Sequence, residues 1–100
     1  MPIREAHHKW SFTSTGSGDW VTVDNARELS FYINTAAGST ATVRIQSAAD
    51  STSFAVTLGS TTYTLDASSG VLVQFTGPFG VVRPRVSDMT GTVVVHLFGN

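Results

Sequence analysis

A chain of 100 residues and 10.6 kDa, with no cysteine and only 13% charged side chains, is one domain's worth of sequence that can bury about 60–70% of its unfolded surface. Neither a disulfide framework nor a thiolate metal site is open to it. Its formal net charge of -1 supplies no long-range field, which excludes nucleic acid and anionic lipid surfaces as first-choice partners.

In chain order, residues 1–9 (MPIREAHHK) are polar and poor in apolar side chains, so they read as a flexible arm ahead of a single domain over 10–100. No apolar core follows the start and no run of about 18 apolar residues occurs anywhere. Neither a signal peptide nor a membrane span is therefore expected, and synthesis in a cytoplasm is. Trp10 and Phe12 alternate with Ser11 and Thr13, which predicts a strand closed by the turn-rich stretch from Ser14 to Asp19. Val21 and Val23 then share a face opposite Trp20, Thr22 and Asp24, and Asp24-Asn25 is a turn signal.

The clearest alternation comes next, with Leu29, Phe31 and Ile33 on one face and Ser30, Tyr32 and Asn34 on the other. Ala41, Val43 and Ile45 point inward in the following run while Thr42, Arg44 and Gln46 point out. Phe54, Val56 and Leu58 continue the pattern, as do Tyr63 and Leu65. Three final apolar runs, VLVQFT, VVRPRVS and TVVVHLF, are separated by GPFG and DMTG. They predict an antiparallel meander with a continuous apolar wall. The expected fold is all-β: a two-layer antiparallel sandwich or jelly roll of about eight short strands. Ser and Thr make 26 of the 100 residues, which suits half-exposed strands and leaves a polar, weakly charged surface able to associate without desolvating many ions.

Candidate chemistry is sparse. His7 and His8 are adjacent on an extended segment and point to opposite sides, a poor geometry for one metal. His96 sits between Val95 and Leu97 with no partner that spacing identifies. The seven carboxylates fall mostly in loops, where Asp stabilises turns. Gly16-Ser17-Gly18 lacks the Lys-Ser/Thr and the helix of a phosphate loop. No catalytic residue, cofactor or metal site is expected. Arg83 and Arg85 flank Pro84 on the face opposite Val82 and Val86, about 7 Å apart. A proline favours an edge strand or a bulge, so both guanidiniums are expected at a sheet rim, either as a solvated face or, since arginine is enriched at interfaces, as a partner contact. Trp10, Trp20 and Tyr32 are the candidates for a sugar-stacking platform, although their alternation with polar residues equally suits core positions at one end of a sandwich.

The segment GPFGVVRPRVSDMTGTVVVHLFG, with Gly77-Pro78-Phe79, Arg83 and Arg85 at alternate positions, and Thr90-Gly91-Thr92-Val93 with Val95, resembles the closing hairpin of small all-β virion proteins of tailed bacteriophages, including head decoration (cement) and tail-associated proteins. The resemblance implies a non-enzymatic subunit on the capsid exterior that binds the lattice of the major capsid protein, commonly as a homotrimer. The expected partner-binding residues are Arg4, His7, His8, Lys9 and Trp10 of the arm and its junction, with Arg83 and Arg85. A carbohydrate-binding or adhesin module is the alternative, and a small hydrolase the third reading.

Overall fold

The computed structural model describes residues 6–23, 27–36, 38–50, 52, 55–58, 62–65, 70–76 and 80–99. Among them ten strands form: β1 (Ala6–Phe12), β2 (Gly16–Ser17), β3 (Val21–Thr22), β4 (Glu28–Thr35), β5 (Thr40–Ala48), β6 (Val56–Thr57), β7 (Tyr63–Leu65), β8 (Gly70–Thr76), β9 (Val81–Thr90) and β10 (Val93–Gly99). They make two antiparallel sheets. One runs β1-β10-β4-β8; the other runs β2-β9-β5-β6, with β3 also on β9 and β7 also on β5. The all-β, two-layer expectation is met.

The meander is not. β8 pairs with β4 and β10 lies between β1 and β4, while β9 lies in the other sheet beside β5. Six of the nine connections cross between layers, all but β2–β3, β5–β6 and β6–β7, so the two sheets read as four columns: β1 over β2 and β3, β10 over β9, β4 over β5, and β8 over β6 and β7. Each column is contiguous in sequence, which is a jelly-roll-like wrapping. Alternation along a strand identifies its apolar face but not the sheet that it joins. The supposed wall is therefore two walls facing each other. Leu29, Phe31, Ile33, Val93, Val95 and Leu97 from one sheet are wholly buried against Val43, Ile45, Val82 and Val86 from the other. Each such side chain contributes about 1.5–3 kcal/mol of transfer free energy.

Two crossings are made side by side, β4 to β5 and β9 to β10. Thr35 pairs with Val93 in one sheet and Thr40 with Thr90 in the other. Ser39 ties the corner, its Oγ accepting from Thr92 N at 2.9 Å, while Ala36 N donates to the Thr92 carbonyl at 3.2 Å. Gly91 turns the chain there with φ +77°, and a Cβ on it would stand 2.0 Å from Ser39 Oγ. Gly91→Ala combines left-handed strain with displacement of the serine. A loss of about 2–3 kcal/mol is expected, read as a fall of roughly 10–20 °C in melting temperature.

Pro84 is not at a rim. It faces Ile45 of β5 on one side, and on the other its carbonyl accepts from Gly18 N at 2.9 Å. Nitrogen and carbonyl of one residue point to the same side of an antiparallel strand, so the missing N–H faces the break between β2 and β3. No bond to β5 is lost, and β9 stays inside the sheet. One residue, Ser87, is extra where the register shifts between Thr42↔Asp88 and Val43↔Val86, a bulge that leaves it exposed. Of Phe54, Val56 and Leu58, placed on one face by alternation, Val56 is 60% exposed in the short β6, Leu58 packs against the core, and Phe54 lies outside the described residues.

Candidate functional site

The expected arm over residues 1–9 is corrected from Ala6 onward. Ala6–Phe12 is an edge strand on β10, with His7 opposite Phe98 and Lys9 opposite His96. Few apolar side chains are needed there, because backbone pairing and ring stacking hold the strand. His7 lies flat on Phe98, centroids 4.5 Å apart and 2° from parallel, and His8 meets Trp10 edge-on at 4.6 Å. His7, His8 and Lys9 are exposed; Arg4 lies outside the described residues.

Trp10, expected at a partner contact, belongs to the core. It is only 6% exposed, its Nε1 donates to the Asp19 carbonyl at 3.0 Å, and Gly18 packs so tightly on the indole that a Cβ would come 2.5 Å from Cδ1. The sugar platform of Trp10, Trp20 and Tyr32 does not assemble either. Trp20 lies under Arg83 in the other layer, and Tyr32 is on the outside of the first sheet, with Phe31 and Ile33 on its buried face.

Two outward faces carry organised side chains. On the sheet containing β9, Arg44 stands directly opposite Arg85, and Arg83 is opposite Gln46 in the next outward row. Three of the chain's six Lys and Arg residues thus share one face. Arg83 donates from Nε to Gln46 Oε1 at 2.8 Å, and its guanidinium lies 4.1 Å over the Trp20 ring. Arg85 donates to Ser17 Oγ at 3.0 Å. Arg44 Nε is buried and makes no hydrogen bond among the described residues. Like charges placed opposite each other on neighbouring strands are destabilising, and neutral acceptors offset only part of this. The arrangement holds planar donor forks ready for carboxylates. Sequence spacing pointed to Arg83 and Arg85 but not to Arg44, which arrives only through the β5–β9 register.

On the outer face of the other sheet, adjacent rows hold His7–Phe98–Ser30–Gln74 and Lys9–His96–Tyr32–Leu72. Three of the four large exposed hydrophobics among the described residues, Tyr32, Leu72 and Phe98, gather there. Tyr32 meets Phe98 at 90° with centroids 5.7 Å apart, while His7 and His96 stack within 11° of parallel with ring nitrogens 3.4 Å apart. An open depression of about 490 Å³ is lined by Ser30, Tyr32, Asn34, His96 and Phe98. Sequence reading missed it because Tyr32 and Phe98 are distant in the chain, though both could be placed on outward faces by alternation. Among the described residues, no three His, Asp or Glu side chains gather as a metal site, and no helix is long and apolar enough to cross a membrane.

No protein-family model and no curated protein sequence matches the chain. Among solved structures it is similar to the SPBc2 prophage-derived protein YomS, with a TM-score of 0.68 at 16% identity over 99% of this chain and 96% of that one. Looser likenesses are to a Bacillus endospore appendage pilus protein (TM-score 0.49, 14% identity, 97% of this chain and 85% of that one) and to the Yersinia pseudotuberculosis-derived mitogen (0.47, 9%, 97% and 85%). At these identities the likeness is one of fold.

Proposed function

We propose that the protein is a non-enzymatic structural subunit of a tailed-bacteriophage virion, a decoration protein that binds the assembled capsid from outside as a homotrimer. The observation that carries this reading is the end-to-end fold likeness to a prophage-derived protein, in line with the resemblance of residues 77–99 to virion proteins. The arginine face supplies the contact. Arg44, Arg83 and Arg85 form a preset cationic patch on a chain with few charges, which suits an acidic surface repeated over a shell. Three linked copies on a symmetric lattice convert weak single contacts into stable attachment.

Electron microscopy of the phage's particles with and without the protein tests the reading. Added density is expected at symmetric capsid positions, in clusters of three. Cosedimentation with capsids should weaken as salt rises from 0.1 to 1 M, because the screening length falls from about 10 to about 3 Å. Density on tails alone would reassign the protein to the tail, and absence from both would reject a virion role.

A further inference from the structure

We propose that the depression between Tyr32 and Phe98 on the outer face of the β1-β10-β4-β8 sheet binds a neutral oligosaccharide. This does not rest on the virion reading, and either can fail alone.

The lining is rings alternating with neutral hydrogen-bonding groups. Tyr32 and Phe98 are 42% and 43% exposed and stand perpendicular, so together they form a corner. His7, stacked on Phe98, buttresses one wall of it. Asn34 and Ser30 lie two residues either side of Tyr32 on the same strand face. Gln74 reaches Ser30 Oγ at 3.3 Å from the neighbouring strand. A pyranose presents an apolar C–H face and a rim of hydroxyls. The rings would take the first, and the amide and hydroxyl groups the second. Among the described residues the lining holds no carboxylate, lysine or arginine; the nearest cation, Lys9, stands one strand away beside His96, so the groups that face a ligand in the depression are mainly neutral.

At about 490 Å³ the depression is open rather than enclosed, so it would take a sugar laid along the sheet and not one sealed in a cleft.

The full-length protein, labelled with ¹⁵N, would be titrated with hexaoses of α-1,4-glucan, β-1,4-glucan, β-1,4-xylan, β-1,4-mannan and β-1,4-N-acetylglucosamine. At least one should give saturable shifts centred on Tyr32, Asn34 and Phe98, with a Kd of about 0.1–1 mM. Tyr32→Ala and Phe98→Ala should each weaken that binding at least about tenfold, without lowering the melting temperature much, since both side chains are surface groups. Asn34→Ala removes only a surface amide and should still weaken binding a few-fold if Phe98→Ala folds poorly. No saturable shift with any of the five sugars overturns the assignment, and so does binding that survives both ring deletions. Shifts of the same resonances with protein concentration alone would also overturn it, by giving the face to a second copy.

Discussion

Trp10→Ala is expected to lower the stability of the folded chain by about 3–5 kcal/mol, the usual loss when a large buried aromatic is truncated. The indole touches three parts of the fold at once. It packs near Phe31 in the core, centroids 6.5 Å apart, it is met edge-on by His8, and it is covered by Gly18 in the β2–β3 connection. Removing it takes away the surface on which that connection lies. Gly18 also donates to Pro84, so the loss reaches β9. Out of a total that is typically 5–15 kcal/mol for a small domain, this leaves a chain that melts tens of degrees lower or does not fold at 37 °C. Trp10→Phe should cost less, keeping much of the apolar contact while leaving the Asp19 carbonyl without its indole donor. Thermal melts of the two variants, read by circular dichroism, would check the order. A Trp10→Ala protein of ordinary stability that failed only in particle binding would return the residue to the interface.

How far the residues themselves disclosed this fold can be argued from particular strands. Leu29, Phe31 and Ile33, Ala41, Val43 and Ile45, and Val82, Pro84 and Val86 were assigned inward from alternation alone, and all are buried. What alternation cannot carry is the choice of sheet. DMTG looks like a hairpin turn, yet it leads β9 out of one layer and β10 into the other, because Gly91 and Ser39 make a corner there rather than a ladder. The same blindness hid both surface clusters. Arg44 joins Arg85 through a pairing between residues 41 apart in sequence, and Tyr32 meets Phe98 across a separation of 66. The strand at Ala6–Lys9 was missed for a different reason. An edge strand whose outward side chains are His7 and Lys9 has almost no apolar signature, since its hold comes from the β10 backbone.

Arg85→Glu is expected to leave the stability of the fold nearly unchanged while sharply weakening partner binding. In the isolated protein the substitution replaces the like-charge pair Arg44–Arg85 by an opposite-charge pair on facing positions, which is worth roughly 0.2–1 kcal/mol in favour of the fold. The lost hydrogen bond to Ser17 costs about 1 kcal/mol, so the two changes nearly cancel. The melting temperature should therefore stay within a few degrees of the parent. Toward an acidic partner the change is all loss, because a guanidinium fork becomes a carboxylate facing carboxylates. Roughly 2 kcal/mol per contact, about thirtyfold, is a modest expectation for such a reversal. With three copies engaged together, the particle-bound fraction should collapse. Arg44→Glu should act alike, as the other half of the same pair, and the double reversal should restore the like-charge repulsion without restoring binding. Cosedimentation with capsids beside thermal melts would read both quantities. Unchanged occupancy by the Arg85→Glu protein would remove the arginine face from the contact, while a parallel fall in melting temperature would show that the two arginines serve the fold.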